Sequence, residues 1–196
     1  MALTRLLVGL FILCLALAPA APAKVLYYEN NFQPDSEPDG FRGIKWLTEV
    51  AKVDPFNTMD VIGIIGDSVF YKRKKEDMHV GLAEVQDIIY EFWKGKFSSV
   101  MVRTQGLPDY LRLRDYCFAM YGPGKRSETY QRLDVQDFTW NGFITRMFLT
   151  YSDFDRHGDL SLYSIKVLNQ KRSYDRFIYY TDIMEQLKQW QRTGPR

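Results

Sequence analysis

Two short glycine links constrain this chain more than any other feature. Lys94-Gly95-Lys96 separates Val85–Trp93 from Phe97–Thr104, and Asn141-Gly142 separates Tyr130–Trp140 from Phe143–Tyr151. All four flanking runs are rich in aromatic and β-branched residues. A link this short folds two such runs back on each other as an antiparallel hairpin, and Asn-Gly is the strongest short signal for that turn. A parallel pair would need a long crossover between its strands. The chain therefore builds antiparallel hairpins, and the single strands alternating with helices that mark an α/β fold are absent.

Between the hairpins the period changes. In LPDYLRLRDYCFAMYGPG, Leu107, Leu111, Phe118 and Tyr121, together with Tyr110, Leu113 and Cys117, fall on one broad helical face. Pro108 suits the first turn, Gly122 the C-cap, and Pro123 blocks continuation. Shorter strands are expected at Val69–Arg73 and His79–Leu82, and a third late strand carries Leu160, Leu162, Tyr163 and Ile165. The chain closes on an amphipathic pattern from Thr181 to Arg192. There Ile183, Met184, Leu187 and Trp190 share a face and Thr181 serves as N-cap. The expected fold class is α+β, with antiparallel β-hairpins or sheets flanking a central helix, plus a C-terminal helix. One domain is expected over residues 41–196. Residues 24–40 are polar and rich in Pro, Asp and Asn, and read as a flexible lead-in.

The N-terminus speaks to location. Arg5 precedes the apolar run Leu6–Ala18, which is followed by the small-residue site Ala21-Pro22-Ala23. That order reads as a cleavable export signal, residues 1–23, with cleavage expected after Ala23 and Ala20 as the alternative. The run is shorter than the roughly 20 residues a membrane helix needs, and Leu13 before Cys14 does not suit lipid attachment. The expected location is periplasmic or secreted, with no transmembrane span after cleavage. Of the two cysteines, only Cys117 then remains, so an intramolecular disulfide is ruled out. Its apolar helical setting reads as a buried, inert thiol.

Several function classes lose support. Lys+Arg 26 against Asp+Glu 24 lacks the basic excess of a nucleic-acid binder, so none is expected as a partner. The local YKRKKED reads as a solvated strand end. Two histidines and one mature cysteine offer no zinc spacing. Gly122-Pro-Gly-Lys-Arg lacks the end of a phosphate loop. The pairs Asp35/Glu37 and Glu76/Asp77 lie in polar stretches and read as solvated surface. No cofactor or metal is expected.

Four phrases carry a family resemblance: FRGIKW (41–46), YEFWKGKFSSVMV (90–102), MYGPG (120–124), and TWNG with a later Leu149-x-Tyr151. Over Phe41–Val167 the chain resembles a family of exported bacterial proteins of uncharacterised activity, which share the F-x-G-I-x-W, Tyr-x-Phe…Gly-x-Phe, Tyr-Gly-Pro and Trp-x-Gly phrases. Those residues are of core and turn type, so the resemblance implies a fold rather than a chemistry. Leu47 departs from the pattern, where Gly is expected after the Trp. A more distant likeness is to small exported helix-plus-hairpin domains that act as assembly factors or inhibitors.

Two chemical readings compete with a binding role. Gly66-Asp67-Ser68 imitates the nucleophile loop of Gly-Asp-Ser esterases, with Ser68 as nucleophile and His157 as base. Yet VFYKRK follows as a strand, the Gly-x-Asn-Asp segment is missing, and Asp155 lies two rather than three residues before His157. His79 is the only other histidine. The loop 153–159 imitates a calcium loop through Asp153, Asp155 and Asp159. However, His157 stands at position five and Ser164 where a bidentate Glu is needed. The preferred expectation is a non-catalytic exported domain that binds a protein or envelope component. The many aromatics, including Tyr90, Phe92, Trp93, Trp140, Tyr151 and Tyr163, belong mostly to the core. If Ile88–Trp93 is apolar on both sides, that strand is either central or carries an exposed patch, the mark of a partner site.

Overall fold

The computed structural model describes residues 29–53, 58–126 and 135–175. The expected export signal, the start of the expected lead-in, residues 130–134 of the expected Tyr130–Trp140 strand, and the expected helix Thr181–Arg192 lie outside them.

The chain forms a small hairpin β1 (Gly40–Phe41) and β2 (Ile44–Lys45), then a single helical turn α1 (Val50–Val53). Strands β3 (Met59–Ile65) and β4 (Ser68–Arg73) follow, then a two-residue pair β5 (His79–Val80) and β6 (Ala83–Glu84). Next come β7 (Asp87–Trp93), β8 (Lys96–Gln105) and helix α2 (Leu107–Tyr121). The last strands are β9 (Lys125–Arg126), β10 (Val135–Asn141), β11 (Thr145–Ser152) and β12 (His157–Ser164). Residues 165–175 are helical, α3. The fold is α+β. Eight strands make one antiparallel sheet in the order β3-β4-β7-β8-β12-β11-β10-β9. The hairpins on the two sides of α2 in sequence are joined by the pairing of β8 with β12.

Alternation decides what each face holds. In β7, Ile88, Tyr90 and Phe92 point to one side with Phe97, Val100, Leu160, Leu162, Met147 and Leu149, all buried. Helix α2 covers this side with Tyr110, Leu113 and Cys117. Tyr110 stacks obliquely on Tyr151 at 4.8 Å, and Phe118 meets Phe138 edge-on at 5.0 Å. The C-terminal end of α2 closes on Trp140, whose indole Nε1–H donates to the Gly122 carbonyl at 2.8 Å. A Cβ on Gly124 would stand 2.8 Å from that ring, so only glycine lets the chain cross it.

The phrases of the resemblance occupy core and turns. Trp46 stacks on Phe97 at 4.8 Å and donates to Thr145 Oγ1 at 2.7 Å. Ile44, Tyr90, Phe92, Trp140 and Leu149 are buried. Leu47 has φ +69°, the left-handed region that favours glycine.

From residue 30 onward the expected lead-in is tied to the rest of the fold by hydrogen bonds. Asn31 clamps β10 by donating to the Thr139 carbonyl at 2.9 Å and accepting from the Asn141 N–H at 2.6 Å. Phe32 is buried, and Gln33 Nε2 donates to the Met120 carbonyl at the end of α2. Side-chain amides satisfying edge and helix-end backbone groups are what pin this polar stretch. The third late strand ends sooner than expected. Ser164 Oγ accepts from the Val167 N–H, an N-cap that starts α3 at residue 165 and takes Ile165 out of the sheet.

Candidate functional site

On the sheet face away from α2, the same alternation presents Phe70 from β4, Ile89, Glu91 and Trp93 from β7, and Ser99 and Met101 from β8. Helix α3 crosses one end of this face. Tyr174 meets Trp93 at 6.2 Å edge-on, and Lys94 Nζ lies 3.7 Å from the Tyr174 ring centre. Two adjoining cavities result, of about 710 and 360 Å³, and they share Ile65, Phe70 and Glu91. Trp93 and Tyr174 wall the larger, and Ile89, Met101 and Tyr163 wall the smaller. Together they form one groove across β3, β4, β7 and β8, with mainly apolar walls.

A polar knot lies at its middle. Ser68 Oγ donates to Glu91 Oε1 and Ser99 Oγ to Oε2, both at 2.5 Å, while Lys171 Nζ donates to Oε1 at 2.6 Å. Lys171 Nζ also lies 3.3 Å from Ser68 Oγ. The backbone arranges this locally. The β7–β8 register shifts at Glu91/Phe92, leaving Ser98 as the extra residue of a bulge, and its hydroxyl donates to the Glu91 carbonyl at 2.9 Å. Bulges re-aim side chains beside functional sites, and this one sets Ser99 opposite Glu91. Gly66, with φ +57°, makes the tight β3–β4 turn that delivers Ser68.

Burial alone would raise the Glu91 carboxyl. Hydrogen bonds from Lys171, Ser68 and Ser99, with the Lys171 charge, outweigh it and hold the group below its ordinary range. Glu91 is thus an ionised carboxylate and a poor proton acceptor. Lys171 is ion-paired with it. A serine nucleophile needs a base free to take its proton, and among the described residues the carboxylate and the amine beside Ser68 are bound to each other. The knot holds a carboxylate, an amine and two hydroxyls in fixed positions in the groove.

The structure does not bring Ser68 and His157 together. Ser68 pairs with Trp93, which pairs with Lys96, whereas His157 pairs with Gln105. The ten-residue strand β8 separates those levels, about 30 Å at roughly 3.3 Å per residue. His157 Nε2 instead lies 3.3 Å from Asp159 Oδ2.

The acidic loop is also dispersed. Arg103 grips Asp159 with two bonds, at 2.7 and 3.0 Å. Asp155 accepts from Ser152 Oγ, and Asp153 is exposed. Among the described residues no three His, Cys, Asp or Glu side chains converge on a metal position. The other carboxylates bridge segments. Glu37 Oε1 accepts from the Ile144 and Thr145 N–H groups at 2.6 and 2.8 Å, and Glu76 bonds Arg42 and the Tyr90 hydroxyl. His79 pairs with Asp77. Burial pushes the Cys117 thiol up to about 12, which leaves it inert.

Glu91 and Lys171 were not singled out from the sequence. Glu91 has a signal: a lone carboxylate inside Ile88–Trp93, a run otherwise apolar on both sides, has to find partners. Lys171 sits in the polar run Asn169–Arg172 and has none. No family model, no curated protein and no solved structure matches the chain.

Proposed function

We propose that this chain is an exported, non-catalytic domain that binds a protein or envelope component in the groove on the second face of its sheet. The export reading rests on the N-terminal pattern Arg5, Leu6–Ala18, Ala21-Pro22-Ala23. Among the described residues no helix is long and apolar enough to cross a membrane.

The observation that carries the reading is the groove itself. It combines apolar walls with one buried, internally satisfied charge cluster, the composition of a recognition surface. Phe70, Ile89, Met101 and Tyr163 are only partly buried, so a partner gains apolar contact there. The saturated state of Glu91 favours binding over turnover.

The test has two arms. Purified chain and Ser68→Ala are compared on short-chain aryl esters, with equal background rates expected. Tagged chain and Met101→Glu are then compared for material retained from the native envelope, with retention lost in the variant. Turnover that disappears in Ser68→Ala overturns the reading.

A further inference from the structure

The two ends of the sheet are treated in opposite ways. At one end, among the described residues, β9 is two exposed residues, Lys125 and Arg126. A short, charged edge discourages a further strand. At the other end stands the seven-residue β3. Val61, Ile62, Ile64 and Ile65 are 55, 46, 67 and 73% exposed. Among the described residues no strand pairs with the outer edge of Val61–Ile65. Two protective devices are present, Asp60 near its start and a bulge at Ile62; from Val61 onward the strand carries no charge and no proline.

We propose that a second copy of this chain covers that edge, β3 pairing antiparallel with β3 about a two-fold axis. The choice of occupant follows from charge. Asp60 is the only charged residue of β3, and it faces Lys74 at 3.6 Å. The edge from Val61 onward offers nothing for an acidic or basic segment to pair with. What fits is an uncharged aliphatic strand with its own free edge, and this chain carries one at the same position. Self-pairing is isologous and closes on itself. Centred between Ile62 and Gly63, it sets Val61 against Ile64 and Asp60 against Ile65. No like charges then oppose each other.

The axis of such a pair is perpendicular to the sheet. Both grooves therefore open on the same side, next to each other, because Ile62, Gly63 and Ile65 border the smaller cavity. A strand pair alone buries less than the roughly 800 Å² per partner of a stable complex, so the dimer is weak and dilution dissociates it.

The experiment is sedimentation of the exported form of the chain over a wide concentration range. The expected result is a mass rising from monomer toward dimer. Ile64→Lys, which lines neither cavity, stays monomeric with an unchanged circular dichroism spectrum. Phe154→Ser, at a 92% exposed aromatic in the β11–β12 turn, associates like the parent. A second readout needs no variant: amide exchange at Val61–Ile65 slows as concentration rises. A monomer at every concentration, association unaffected by Ile64→Lys, loss of association in Phe154→Ser, or concentration-independent exchange overturns the proposal. Groove binding is read separately, through Met101→Glu.

Discussion

At the level of single residues, Glu91 organises the groove, and its neighbours matter through it. Lys171→Met removes the ammonium and leaves a carboxylate that is only 9% exposed. Removing one partner of such a pair costs about 1–3 kcal/mol in unfolding free energy. Adding Glu91→Gln recovers part of that loss, because the uncompensated charge is gone. Denaturant unfolding of the two single variants and the double variant checks this; a double variant as costly as the sum of the singles contradicts it. The same carboxyl sets a pH dependence. Its folded pKa lies below its unfolded one, so its stabilising contribution is present above the unfolded value. That contribution is lost as pH falls through the folded value. Thermal melts below about pH 4.3, the ordinary Glu value, should therefore fall less steeply in Glu91→Gln than in the parent. Leu47 offers a different test. It holds φ +69°, which costs a non-glycine residue roughly 1–2 kcal/mol. Leu47→Gly should thus unfold within about 1 kcal/mol of the parent, whereas Leu→Gly at an unstrained, half-buried site loses more.

Among the elements, what could be read from the sequence and what could not divide along local and non-local causes. The hairpin at Lys94-Gly95-Lys96 joins β7 and β8, the one at Asn141-Gly142 joins β10 and β11, and Gly122 caps α2, because each depends on a few adjacent residues. The pinning of residues 30–40 was not legible, since Asn31 finds its partners more than a hundred residues away in β10. The same holds for the site. Ser68 stood out by an accidental motif, but its partners Glu91 and Lys171 come from β7 and α3 through sheet order and a bulge. The two-sided apolar pattern of Ile88–Trp93 has both meanings at once: β7 is interior to the sheet, and one of its faces lines the groove. The seam between α2 and β10 makes a testable element. Gly124→Ala places a methyl against the Trp140 ring and should cost about 1–3 kcal/mol by overpacking, measured by chemical unfolding; an unchanged midpoint would show that the crossing can yield.

For the whole molecule, one sheet carries two unlike faces. Helix α2 and the pinned N-terminal segment fill the first with aromatic core, and stability resides there. Among the described residues the second is only partly covered, by α3, and the uncovered part is apolar around a fixed charge. A domain stable on one face can leave the other open for recognition. The measurement that tests this most directly is photo-crosslinking in the native envelope, with the reactive residue placed at Met101 in the groove or at Leu82, 86% exposed in the β5–β6 turn. The expected result is a discrete adduct from Met101, lost when Phe70→Asp alters the groove, and none from Leu82. Equal labelling from both positions, or an adduct that survives Phe70→Asp, would contradict it.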